Sequence, residues 1–430
     1  MAAAGAAGVG ATLGAGTAAA RATEGARASE EARATEGARA TEAARATEEA
    51  RAAEAARAAV ASGEAVPFYG AHQAGIATPT QEHVHFLALD VVSDSLTDLR
   101  ALLAALSAGA ARLTAGQPVG ALQTGVDAPV DTGEALGLGP SRLTITFGLG
   151  PSVFMPGRFG LEGQRPAPLV DLPPFANDSL QPGICDGDIA VQACAEDPQV
   201  AFHAVHDLIR LASPAAVPRW SLPGFGRTHN TAGQITPRNI MGFKEGTANI
   251  VGQDRPALER FVWASARESP AWMVGGSYMV VRRIQILLRN WDPISLEQQE
   301  RTFGRHKLSG APLGEKHEHD PIDLKKAVDG QLVISPLAHI RLASPAYNHG
   351  ERILRRGYSY SDGIYDGAVA AGQLFICFQR DPRRQFIPMQ ARLALNDLLN
   401  EQTEHVGSAI FACPPGSASG GFVGSGLFGS

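Results

Sequence analysis

Cysteine is scarce in this chain: four residues in 430, at Cys185, Cys194, Cys377 and Cys413. So few thiols, so scattered, do not make a disulfide framework, and no Cys-X-X-Cys pair offers a zinc motif. They read as buried free thiols, with pairing of Cys185 and Cys194 left open. An excess of positive charge is also absent. The formal net charge is -6, and no Lys/Arg patch is interleaved with aromatics. That argues against a general nucleic-acid binder. No convincing membrane span is present. The first twenty residues carry no charge before Arg21, but they are too rich in Gly and Ala to span a bilayer. They resemble the apolar core of an export signal that lacks its basic leading region.

What is present is ordinary globular material. Hydrophobic residues make up 44% and charged residues 19%, and the length is comfortable for two domains. Forty-eight Gly and 28 Pro imply many loops. After the signal-like segment 1–20, residues 21–62 form a spacer. In it Arg21, Arg27, Arg33, Arg39, Arg45, Arg51 and Arg57 recur every six residues, with Glu about three residues behind each. Such sequence is helix-prone. A period of six matches neither 3.5 nor 3.6, so no apolar stripe persists and a solvated spacer is expected.

The folded part begins near Val66-Pro67 and divides into halves, 63–225 and 226–430. In the first, hydrophobic alternation predicts a strand at 83–92, a helix at 95–107, strands at 143–147 and 188–194, a helix at 198–212 and a strand at 216–222. The second repeats that order: a strand at 277–288, a helix at 295–303, strands at 353–360 and 373–378, a helix at 384–400 and a strand at 408–412. Each half also carries an Asp-Pro pair, Asp197-Pro198 and Asp381-Pro382, after its third strand. Pro there suits the start of a helix. The expectation is an α+β fold, a duplicated ferredoxin-like βαββαβ unit with two sheets packed face to face, and a large cofactor in the loop-rich second half.

Three residues in that half stand in distinctive settings. Glu245 lies between Gly242 and Gly246 in Met-Gly-Phe-Lys-Glu-Gly-Thr-Ala-Asn-Ile. A desolvated carboxylate there suits proton transfer, although a turn carboxylate that caps a helix or pairs with Lys244 fits the same pattern. His339, in Ala-His-Ile-Arg-Leu, suits an axial metal ligand or a satisfied structural histidine. Arg355 suits stabilisation of developing negative charge, and Arg356, next to it on a strand, is expected on the opposite face. Arg305 and Arg341 suit carboxylate groups of a cofactor or surface ion pairs. His317-Glu318-His319 reads as solvated loop rather than a metal motif. Trp263, Trp272, Trp291 and the tyrosines near Tyr358 read as core packing rather than an electron relay.

Taken together, residues 66–430 resemble the dye-decolourising peroxidases, in particular the exported bacterial branch that includes deferrochelatase-like proteins. The resemblance is carried by the stretch from Gly242 to Asn249, the segment around His339, Arg352 to Tyr360, and Phe411 to Pro415. It implies a duplicated ferredoxin-like α+β barrel with one haem b per chain, His339 as iron ligand and Arg355 in the peroxide pocket. Phe375, Gly246 and Asn249 then lie against the cofactor. It also implies hydrogen peroxide and a phenolic, dye-like or metal reductant as partners, and export by the twin-arginine route, with the chain a monomer or homo-oligomer. One departure stands out: Glu245 occupies the family's aspartate position, so the carboxylate reaches one methylene further. Two alternatives remain, a haem-handling protein that releases iron from haem and a non-catalytic ferredoxin-like binding module.

Overall fold

The computed structural model describes residues 64–120, 128–226, 236–365 and 367–429, with Arg33 and Glu36, which are helical and exposed. The signal-like segment and the rest of the Arg/Glu repeat lie outside the described residues. The chain divides into two compact units, 1–58 and 59–430, and the larger one carries everything that follows. Among the described residues, no helix is long and apolar enough to cross a membrane.

The first half runs β1 (His83–Val91), α1 (Leu96–Thr114), β2 (Thr144–Leu149), β3 (Ile189–Ala195), α2 (Pro198–Ala212) and β4 (Ala216–Phe225). The second opens with α3 (Arg255–Phe261), β5 (Ser277–Ile286), α4 (Leu288–Trp291) and α5 (Leu296–Phe303). A small hairpin, β6 (Ala327–Val328) and β7 (Gln331–Leu332), precedes the single-turn helix α6 (His339–Leu342). The half closes with β8 (Leu354–Arg355), β9 (Tyr358–Tyr365), β10 (Ala368–Gln379), α7 (Phe386–Asn396) and β11 (Thr403–Cys413).

Both halves have the same internal order. The first reads β2-β3-β1-β4, and the second reads β9-β10-β5-β11. Numbered within each half, both are 2-3-1-4, the ferredoxin-like arrangement. The barrel that the resemblance implies does form, and the two sheets are not separate layers face to face. Instead, β4 joins β9 through Phe225 and Ser359, and β11 joins β2 through Ala412 and Leu149. One antiparallel sheet results, closed into a barrel by the pairing of β5 with β10. Closure gives each long strand a neighbour on both sides, with a single residue pair at each seam between the halves.

Period-two alternation explains the layers. Val84, Phe86 and Ala88 of β1 face an interior cluster with Trp220, Met279, Ile376 and Phe411. Leu87, Leu89 and Val91 face outward, into a cluster that holds Val205 and Leu208 of α2 together with Leu99, Leu102 and Leu106 of α1. Strands β2 and β3 are buried at every position, as strands covered on both faces must be. The two Asp-Pro pairs behave differently. Asp197 caps α2 by accepting from the N–H groups of Gln199 and Val200, with Pro198 at the first helical position. Asp381 and Pro382 form a separate turn, and α7 starts only at Phe386. The reason is Pro388, which a helix tolerates only in its first turn. All four cysteines are free and buried, and burial raises the pKa of Cys185, Cys377 and Cys413. Trp263, Trp272, Trp291, Tyr358 and Tyr360 are all buried in apolar clusters.

Candidate functional site

A cavity of about 270 Å³ lies between the outer face of the second-half sheet and α7. Its volume is near the lower end of the ~300–1,000 Å³ typical of ligand pockets. Ile284, Ile286, Phe303, Phe375, Phe386 and Met389 supply apolar wall. Phe375 is here because of strand alternation: Leu374 and Ile376 point into the barrel, so their neighbour points out. Arg355 pairs with Cys377 across β8 and β10 and shares its outward face. Arg356 therefore turns inward, where it is 2% exposed and donates to the Thr78 carbonyl at 2.6 Å.

His339 opens α6 and lines the cavity, with a side chain 32% exposed. Its Nδ1 lies 2.6 Å from Oδ2 of Asp397, a carboxylate only 3% exposed. The second oxygen of Asp397 accepts from the Leu399 N–H at 2.9 Å, which caps the short helical turn after α7. The acceptor is thus held from both ends and fixes the imidazole's tautomer and direction. Burial draws the His339 pKa down, but the charge and hydrogen bond of Asp397 outweigh it, and the net shift is upward. Nε2 makes no hydrogen bond among the described residues, so it is available to a ligand in the cavity.

Glu245 enters the same cavity from a loop anchored by its neighbours. Met241 and Phe243 are 3% and 2% exposed. The Phe243 ring stacks on Phe303 at 4.0 Å and meets Trp291 edge-on. Gly246 follows with φ +104°, a conformation that a side chain would strain, and it too lines the cavity. Oε1 of Glu245 accepts from Nε2 of Gln373. The bare Cα of Gly357 leaves room for this pair, because a Cβ there would stand 2.8 Å from that nitrogen. Lys244 does not pair with Glu245. Its Nζ goes to Glu318, a carboxylate 12% exposed that also accepts from Thr236 and Thr247. The histidines on either side, His317 and His319, are exposed.

Glu318 yields a stability prediction. Burial raises its pKa, but the Lys244, Thr236 and Thr247 bonds win, and the net shift is downward. The linkage therefore stabilises fully above the ordinary carboxylate value of 4.5, and its contribution is lost as pH falls through the lower folded value. Glu318→Gln is expected to destabilise by about 2–3 kcal/mol, somewhat less than the ~3–5 kcal/mol of a fully buried pair. Amide exchange across residues 236–247 checks it: at pH 7 the variant should exchange faster than the parent, and acidification should bring the parent toward the variant.

The remaining candidates divide. Arg305 lines the cavity and donates to the carbonyls of Gly310 and Glu318 at 2.7 and 3.1 Å. Burial lowers its pKa, and the Arg355 charge adds to that against the pull of Glu318. Arg341 does not line the cavity. It is 3% exposed, and its guanidinium is spent on the carbonyls of Leu324, Ile334 and Ser335. Its role is to lock the loop ahead of His339. Asn249 also stays out of the cavity wall. Its amide donates to the Arg355 carbonyl at 2.7 Å and accepts from the Arg355 N–H at 2.9 Å, which places it behind Arg355 as a positioning residue.

Residues 73–226 match the model of the Dyp-type peroxidase N-terminal domain, and residues 236–418 match that of the C-terminal domain. The chain belongs to the Dyp-type peroxidase family. Accordingly it is an enzyme, an oxidoreductase of the haem-dependent peroxidase class, and not a non-catalytic binding module. A deferrochelatase of Yersinia pestis is 41% identical over 360 residues, spanning 82% of each chain. The oxyferrous complex of DtpA from Streptomyces lividans is 42% identical, with TM-score 0.80 over 85% of this chain and 97% of that one. The Dyp-type peroxidase of Cellulomonas bogoriensis is 41% identical, with TM-score 0.78 over 85% of this chain and 98% of that one.

Two participants were invisible in the sequence of this Dyp-type peroxidase. Asp397 lies 58 residues from His339, and Gln373 lies 128 residues from Glu245. The only sequence signal for Asp397 was its place in Asn-Asp-Leu-Leu, at a helix end where a short acidic side chain caps well.

Proposed function

We propose that this Dyp-type peroxidase holds haem b through His339 and uses hydrogen peroxide to oxidise phenolic, dye-like or metal electron donors. The observation that carries the reading is the His339–Asp397 contact of 2.6 Å in the wall of a cavity that Glu245 and Arg355 also line. The residues fit the group: an oriented imidazole with a free Nε2, apolar walls for a flat macrocycle, and the guanidinium of Arg305 for its carboxylates. Bound haem supplies the redox chemistry and the oxidising power.

The chain's own residues supply the rest. Asp397 keeps the proton on Nδ1 and makes Nε2 the donor atom. Glu245 takes a proton from one oxygen of the peroxide and returns it to the departing one. Gln373 holds Oε1, which leaves Oε2 for that exchange. The guanidinium of Arg355 favours the negative charge that grows as the O–O bond breaks. Asn249 holds the Arg355 backbone and so fixes where that charge sits. Apolar walls exclude water and strengthen these interactions.

The visible absorption spectrum, before and after one equivalent of peroxide, tests the reading. A Soret band that shifts on addition is the expected result. No band after reconstitution with haem would overturn it. A second reading is favoured by the relatives at 40–41% identity that are named deferrochelatases: release of iron from haem. Free protoporphyrin after turnover would select it. Export belongs to the same proposal. Its support is the uncharged apolar segment before Arg21, and recovery of the protein in the cytoplasmic fraction would remove it.

A further inference from the structure

Helix α2 carries His203 and Asp207, four residues apart and so on one face. Asp131, from the loop before β2, meets them there. The three are 5%, 0% and 3% exposed, in that order. One ligand atom from each lies within 4.8 Å of the others. None of the three lines the cavity described above.

The two sides of the His203 ring differ. On the Nδ1 side, Oε2 of Glu134 stands at 2.8 Å and Oγ1 of Thr132 at 3.1 Å, which are ordinary hydrogen-bond lengths. On the Nε2 side, Oδ2 of Asp131 stands at 3.6 Å and Oδ2 of Asp207 at 3.5 Å. Neither is a hydrogen bond. A ring whose Nδ1–H donates to Glu134 turns the lone pair of Nε2 toward these two carboxylates. Oδ2 of Asp207 is buried and has no hydrogen-bond partner, which is costly for a carboxylate. Its Oδ1 accepts from the Thr132 N–H at 3.1 Å. Asp131 accepts from the N–H groups of Gly133 and Val119 at 2.8 and 2.9 Å, and Oδ2 keeps a lone pair. Burial, the Asp131 charge and the close approach of the Asp131 carboxyl raise the Asp207 pKa against the pull of His203. Arg210, 4.0 Å from Oδ1 of Asp207, is a distant counterion.

A tetrahedral ion with bonds of ~2.0–2.2 Å spaces its ligand atoms roughly 3.3–3.6 Å apart, and both Nε2 edges are of that length. We propose that Nε2 of His203, Oδ2 of Asp131 and Oδ2 of Asp207 form a divalent transition-metal site of the zinc class. Glu134 serves as the outer carboxylate that orients the imidazole. A pocket of about 60 Å³, lined by Asp131 and His203, gives a water ligand access to the fourth position. The ion ties the loop that carries Asp131 and Glu134 to α2 and relieves the repulsion between the two buried aspartates. One imidazole with two carboxylates suits zinc better than the all-oxygen sets that calcium and magnesium prefer.

Zinc titration of the purified, chelator-treated full chain, read by calorimetry and elemental analysis, tests this. Reading zinc rather than iron keeps the result independent of haem content. The expected result is one zinc per chain and a melting temperature that rises with free zinc. Asp207→Asn and His203→Gln should each weaken binding at least 100-fold, and Glu134→Gln about 10–100-fold. If the first two do not fold, the Glu134→Gln affinity decides. A parent that binds no zinc would overturn the proposal and leave the aspartates sharing a proton. So would zinc binding that survives unchanged in these variants, because the metal would then sit elsewhere.

Discussion

The His339→Ala protein is expected to fold and to lose its hold on haem. Among the described residues of the cavity wall, this ring contributes a metal-binding nitrogen oriented by a buried carboxylate, whereas His405 there accepts from Arg282. Loss of an outer partner alone costs about 10–100-fold in affinity or activity, so Asp397→Asn should fall in that range and His339→Ala beyond it. Haem added in equimolar amount should separate from the Ala variant on a desalting column, whereas Asp397→Asn should retain part of it with a displaced band. The Ala variant leaves Asp397 buried with only the Leu399 N–H, a cost of ~1–3 kcal/mol, so far-ultraviolet circular dichroism should accompany the binding measurement. Added imidazole should occupy the vacated space and restore a haem band. An Ala variant with the parent's band position and haem affinity would remove His339 from its assigned role.

Glu245→Gln is expected to lower kcat/KM for peroxide by about 10²–10⁴-fold, the usual contribution of a positioned acid–base group. The amide keeps the shape and can still accept from Gln373, so the loss would report on proton transfer rather than on the loop. Glu245→Asp is the more discriminating change. It shortens the arm by one methylene, breaks the Gln373 contact and moves the carboxyl by about 1 Å, a shift that can change a rate ~100-fold. We expect the peroxide step to speed up, because aspartate is the residue the family pattern places there. The second-order rate of the Soret change on rapid mixing with peroxide measures both variants. An unchanged rate in Glu245→Asp would show that carboxylate reach does not limit the reaction.

The three residues named first from the sequence, Glu245, His339 and Arg355, do meet in one cavity wall. They were legible because each sits in a local pattern with its own reason: a glycine with φ +104° beside Glu245, a helix start at His339, and a strand at Arg355 whose alternation separates it from Arg356. Arg305 and Arg341 show the opposite case. Both looked equally suited to a cofactor carboxylate. Yet one lines the cavity while the other spends its guanidinium on three backbone carbonyls. Nothing within a few residues of either distinguishes them, because the carbonyls that capture Arg341 become neighbours only when the loop folds.

The same division runs through the whole protein. Hydrophobic alternation and helix capping act over two to four residues, so the sequence by itself determined the kind and order of the elements of the repeated unit, but not the short α3, α4, α6 and β6–β7 or the break between β8 and β9. Two single-pair seams, Phe225 with Ser359 and Ala412 with Leu149, decided that the halves share one closed sheet. Contacts 58 and 128 residues apart supplied the acceptor for His339 and the clamp on Glu245. In the first half, the register of a loop against α2 brought Asp131 to His203 and Asp207. Such meetings are set by how distant surfaces bury one another, and no spacing along the chain encodes them.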